Sequence, residues 1–74
     1  MYQFTIVYAG YAVREYSDNQ PSDLSDLFDM MLSENFDLHL RGFDGRDGEV
    51  WDDFDDCIGH AIYVESTRTM FLSI

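Results

Sequence analysis

Apolar and polar residues alternate from the start of the chain, with Tyr2, Phe4, Ile6 and Tyr8 on one side and Gln3, Thr5, Val7 and Ala9 on the other. A period of two is the pattern of a β-strand with distinguishable faces. Gly10 suits a turn, and Tyr11 to Tyr16 reads as the returning strand of a hairpin. Ser17-Asp18-Asn19-Gln20-Pro21 is a polar connector ending in a breaker. The period then changes. Leu24, Leu27, Phe28 and Met31 recur at helical spacing, which predicts a helix opening at Pro21-Ser22 and running to Ser33 or Glu34. Ser22 is the expected N-cap, and Asp23 and Asp26 suit the positive end of the helix dipole. Asp23, Asp26 and Asp29 form an i, i+3, i+6 row expected to face outward.

Period two returns at Phe36, Leu38 and Leu40, alternating with Asp37, His39 and Arg41, so a half-buried strand is expected to end near Gly42 or Phe43. Asp44-Gly45-Arg46-Asp47-Gly48 has the composition of a loop. The next segment is ambiguous. Val50, Trp51, Phe54 and Ile58 fit one face of a short helix, capped by Asp47 and closed by Gly59, and the same residues also fit an irregular acidic loop. The helix is favoured, because Asp52-Asp53 and Asp55-Asp56 then flank the apolar positions. His60 to Glu65 and Thr69 to Ile74 read as a last hairpin around Ser66-Thr67-Arg68, with Ile62 and Val64 as one inward set and Met70, Leu72 and Ile74 as the other. No repeat or linker divides the chain, so residues 1–74 are read as a single domain. The expected fold class is α+β: an antiparallel sheet of four to five strands with one or two helices packed on one face.

Charge changes the picture more than composition does. Residues 23–56 hold twelve of the fifteen carboxylates, opposed only by Arg41 and Arg46, and therefore ten of the eleven net negative charges. A hydrophobic content of 46% with 16% aromatic residues separates the chain from disordered acidic tails, which are poor in aromatics. The acid is mounted on a fold. Like charges at this density oppose compaction by self-repulsion, so added salt is expected to stabilise the free protein. Lysine is absent and Arg14, Arg41, Arg46 and Arg68 are the only strong cations, which argues against direct binding to nucleic acid or anionic lipid. The lone Cys57 excludes an internal disulfide and reads as a small buried filler in a reducing compartment. With no secretory signal and no apolar run near the ~20 residues of a membrane span, the expected location is the cytoplasm of a bacterial host.

Catalytic chemistry finds no foothold. There is no nucleophile elbow, no phosphate-cradling glycine loop and no ordered His-Cys-Asp set, so neither enzyme activity nor a cofactor is expected. Carboxylates beside Cys57 would blunt a thiolate nucleophile, and His39 and His60 read as separate structural or surface residues. Asp44-Gly45-Arg46-Asp47-Gly48-Glu49 resembles a cation loop in composition, but the calcium-loop spacing of acids fails at Arg46 and Gly48. No metal site is expected.

Binding is the remaining use of the acids. Residues three apart on a helix advance about 4.5 Å along its axis, close to the roughly 3.4 Å advance of phosphates along one DNA strand. The candidate partner-binding set is Asp23, Asp26, Asp29, Asp44, Asp47, Glu49, Trp51, Asp52, Asp53, Asp55 and Asp56. The eleven aspartates outnumber the four glutamates, and the shorter side chain holds its carboxylate more rigidly. Trp51 and Phe54 lie among these acids, where an exposed aromatic is the usual anchor of a protein interface. Trp51 fits either that role or a place in the core. The plainer reading of all these acids is a solvated surface that keeps the protein soluble.

In overall character, and in its Asp23-Asp26-Asp29 and Asp52-Asp53-Phe54-Asp55-Asp56 clusters, the chain resembles the small phage-encoded anti-CRISPR proteins that mimic DNA. The resemblance spans the whole chain and involves no shared motif. It implies a DNA-mimicking inhibitor occupying the basic surface where a CRISPR effector receives target DNA. An alternative with the same chemistry is an immunity protein or antitoxin that neutralises a basic nuclease toxin. A third is a small subunit that self-associates through the strand Thr69 to Ile74, read as a sheet edge; the protein is accordingly expected to be a monomer or small homo-oligomer.

Overall fold

The computed structural model describes residues 1–74 as six strands and one helix. The strands are β1 (Tyr2–Tyr8), β2 (Tyr11–Ser17), β3 (His39–Arg41), β4 (Asp47–Trp51), β5 (Cys57–Val64) and β6 (Thr69–Ser73), and the helix α1 (Leu24–Phe36) joins β2 to β3. They form one sheet in the order β2-β1-β6-β5-β4-β3. All neighbours are antiparallel except β1 and β6, which run parallel with Ile6 opposite Met70. The fold is α+β, as the periodicity indicates, but the sheet is mixed and has six strands, with a single helix.

The first hairpin follows from its turn. Ala9 and Gly10 both have positive φ (50° and 84°), the two-residue geometry that matches strand twist. It sets Tyr8 opposite Tyr11 and Ile6 opposite Val13. Of the side of β1 formed by Tyr2, Phe4, Ile6 and Tyr8, Phe4 and Ile6 are completely buried and Tyr2 and Tyr8 half-buried. At the helix start, Asp23 rather than Ser22 is the N-cap, its carboxylate accepting from the N–H groups of Ser25 and Asp26 at 2.9 and 3.2 Å. The helix extends to Phe36, where Asp37 closes it in the left-handed conformation.

Four expectations are corrected in the second half. Residues 50–58 do not form a helix. Gly48 and Val50 point into the core and Glu49 points out, so period two continues through β4 and a five-residue turn follows. Phe54, needed on the apolar face of that helix, is 85% exposed. In β5 the inward residues are Ala61 and Tyr63, while Ile62 and Val64 lie on the uncovered face of the sheet. Tyr63 wins this competition of phase because it meets Phe28 edge-on at 5.2 Å in the centre of the core. Finally, β6 is no edge: it lies between β1 and β5. Cys57, expected inside, is exposed.

α1 covers one face of the sheet through Phe28, Met31 and Leu32. Phe28 packs on Phe4, Phe43 and Tyr63 with ring centroids 5.2–6.2 Å apart, tying both halves of the sheet to the helix. No helix is long and apolar enough to cross a membrane.

Candidate partner-binding site at the acidic end

The strand order sorts the charge. β1, β5 and β6 contain no Asp, Glu, Lys or Arg, and β2 balances Arg14 with Glu15. The excess acid is left to the other end of the sheet: β4, the loop before it, the turn after it, and the adjoining helix.

The turn Asp52–Asp56 between β4 and β5 is the most ordered part of this acid. Asp52 accepts from the N–H groups of Phe54 and Asp56 at 2.9 and 3.0 Å, and its own N–H donates to the Asp56 carbonyl at 2.9 Å. Asp55 takes the left-handed conformation (φ 60°) that closes the turn. From the edge strand β3, Arg41 Nη2 donates to Asp55 Oδ1 at 2.9 Å, and His39 Nε2 lies 2.8 Å from Asp53 Oδ1. The other His39 nitrogen, Nδ1, is 3.8 Å from Asp29 on the helix, so this imidazole stands between two carboxylates. With Asp53 and Asp55 held from below, Phe54 stands free at the tip and the Asp56 carboxylate is unpaired.

Several predicted site residues also serve the architecture. Asp23 is spent on the helix cap. Asp29 does not face outward with Asp23 and Asp26; it is half-buried, and its carboxylate accepts from the Leu40 N–H at 2.9 Å, covering the free side of β3. Asp44 accepts from the N–H groups of Arg46 and Asp47, both at 2.9 Å. Those two donors hold its carboxyl below the ordinary aspartate value. Asp26, Asp47 and Glu49 are exposed, with Glu49 set between Arg41 and His60 by strand register.

Trp51 is neither in the buried core nor fully exposed. It is half-buried on the sheet face opposite the helix, with the Arg41 guanidinium 4.3 Å from its ring centre. It is the platform on which Arg41 is positioned to reach Asp55. Phe54 is the exposed aromatic. Neither the role of Asp52 nor the clamping by His39 and Arg41 is predicted by the sequence reading; the nearest signal is Asp two residues before Phe54 in a polar run, the Asx-turn spacing.

The acids thus fall into groups rather than one row. Asp52, Asp53, Asp55 and Asp56 gather with Asp29 at the start of β3; Asp44 and Asp47 lie at the other end of β4; Asp23 and Asp26 occupy the first turn of the helix. No cavity opens in the surface, and no group of three or more His, Cys, Asp or Glu side chains is placed to hold a metal ion. The available chemistry is that of a projecting anionic surface with an aromatic tip. No protein-family model, curated protein or solved structure matches this chain.

Proposed function

We propose that this protein is a non-enzymatic, DNA-mimicking inhibitor that sets its acidic end on the basic DNA-receiving surface of a nucleic-acid-processing complex, a bacterial CRISPR effector foremost, and blocks target DNA binding. The observation that carries this reading is the turn 52–56, whose Asp53 and Asp55 carboxylates are braced by His39 and Arg41 while Phe54 projects with 85% of its surface exposed. Rigid anions lose little freedom on meeting a row of Lys and Arg, and their field speeds and orients encounter. Phe54 supplies the apolar anchor that a purely ionic contact lacks; truncating such an anchor typically costs about 2 kcal/mol or more of binding.

The test is capture of effectors by the tagged protein from nuclease-treated bacterial lysate containing CRISPR effectors, followed by addition of target DNA. Recovery of an effector that target DNA releases is the expected result. Phe54→Ala and the pair Asp53→Lys, Asp56→Lys are expected to abolish recovery, while Asp52 is left intact because its loss would open the turn. An effector retained undiminished by those variants would sink the proposal, and recovery of a single basic nuclease toxin in its place would transfer the acidic end to an immunity role.

A further inference from the structure

The two edges of the sheet are treated differently. β3 is three residues long and its outward Leu40 N–H is taken by Asp29. β2 is seven residues long and nothing covers it. The hairpin register determines which of its groups are free. Tyr8 and Tyr11 form the bonded pair next to the turn, so Tyr11, Val13, Glu15 and Ser17 bond back to β1. Ala12, Arg14 and Tyr16 therefore direct their N–H and C=O groups away from the sheet. The alternation is consistent one strand further in, where Thr5, opposite Arg14, donates its N–H away from β2 to the Arg68 carbonyl at 2.9 Å. β2 contains no proline and no bulge that would twist this edge out of use.

We infer that β2 is the edge through which two copies of this chain pair, antiparallel, into one continuous sheet. Charge distribution selects the occupant. A chain of net charge −11 repels its own copy over most approaches. At β2 the charges of Arg14 and Glu15 cancel, Asp18 follows just beyond the strand, and the acidic turn 52–56 adjoins β4 and β3 at the other side of the sheet. The register centred on Val13 sets Ala12 opposite Arg14 of the second copy and Tyr11 opposite Glu15 of the second copy, so no like charges face each other. A register centred on Arg14 or on Glu15 would oppose like charges. In the paired state the two acidic ends stand at opposite extremities, at most roughly 50 Å apart at ~4.8 Å per strand. A dimer would therefore present two binding ends, independently of what they bind.

Sedimentation velocity on the 74-residue chain from micromolar to millimolar concentration, with and without added salt, tests this together with amide hydrogen exchange. The apparent mass is expected to double with concentration, and at lower concentration when salt screens the repulsion between copies. The Ala12, Arg14 and Tyr16 amides are expected to slow by about an order of magnitude on association. Arg14→Pro removes an outward-facing N–H together with a positive charge; edge strands accept such a proline, and this variant is expected to remain monomeric, whereas Arg14→Gln, which keeps the N–H, is expected still to pair. A mass that stays monomeric at every concentration overturns the inference. So does a dimer whose Ala12, Arg14 and Tyr16 amides exchange as freely as in the monomer, an outcome that stands without the variant should Arg14→Pro not fold.

Discussion

At one end of the sheet, β2 runs seven residues with cancelling charges and an open backbone edge; at the other, β3 runs three residues, has its outward Leu40 N–H bonded to Asp29, and uses His39 and Arg41 to hold an acidic turn. The difference shows how a 74-residue chain carries a charge of −11. Carboxylates are concentrated where short, irregular segments leave N–H groups without a partner: the helix start, the Asp44 loop, the β3 edge and the turn after β4. There Asp23, Asp44, Asp29 and Asp52 serve as backbone acceptors. The uncharged strands β1, β5 and β6 supply cohesion.

The two ends depend on each other through Phe28, which touches Phe4 of β1 on one side and Phe43 and Tyr63 on the other. Phe28→Ala should produce the largest effect, a loss of about 3–5 kcal/mol, comparable with the whole stability of a domain this small. Circular dichroism and tryptophan fluorescence should lose structure together, since Trp51 reports on the acidic end and the strand signal on the whole sheet. Two separate transitions would show that the ends fold independently, and the comparison would then be one between two units.

Within the acidic end, Asp52 and Asp56 should behave as opposites. Asp52→Ala removes the acceptor for two backbone N–H groups, a loss comparable to a helix cap at about 1 kcal/mol, or roughly 4–8 °C in melting temperature for a domain of this size. Asp56→Ala removes an unpaired charge from a crowded turn and should leave the melting temperature unchanged or raise it. Equal losses at the two positions would mean that Asp56 is also structural and that the turn has little charge to offer.

The neutral end offers a gain. Ala9 occupies a left-handed position (φ 50°) beside Gly10, a conformation that Asn tolerates far better than Ala. Ala9→Asn should stabilise the protein by about 0.5–1 kcal/mol in thermal melts. A neutral or destabilising result would place the strain of this turn elsewhere than in its first residue.

The distribution of successes along the chain has a physical pattern. The first hairpin and the helix were legible because each keeps one period over several pairs or turns, and the Gly10 turn and the polar connector before Pro21 mark their limits. β5 was not, because Cys57 to Val64 is apolar in both phases; packing against Phe28, which lies far away in sequence, chooses Ala61 and Tyr63 over Ile62 and Val64. Val50, Phe54 and Ile58 have true helical spacing, and only the continuation of β4 and the bonding of Asp52 to the turn override it. The acidic end was legible as a concentration of charge, but not as a division of labour. Whether an aspartate is free depends on contacts such as Asp29 with Leu40 and Asp53 with His39, and those are set by how helix and strands meet.

The smallest effect expected is also the one that separates architecture from charge within a single group. Asp44 accepts from Arg46 and Asp47 in its ionised form, and those N–H groups lower its folded pKa. A group with a lowered folded pKa contributes stability that is present above its unfolded value of about 4 and is lost as pH falls through the folded one. Protonation of the crowded carboxylates acts in the opposite sense over the same range, because it relieves repulsion. Asp44→Asn isolates the first contribution: the difference in melting temperature between wild type and variant should shrink as pH is lowered below about 4, while added salt at neutral pH raises both curves together. A difference that persists unchanged into acid would show that the loop needs the shape of this side chain and not its charge, and Asp44 would then be an acid that this end of the molecule does not use as one.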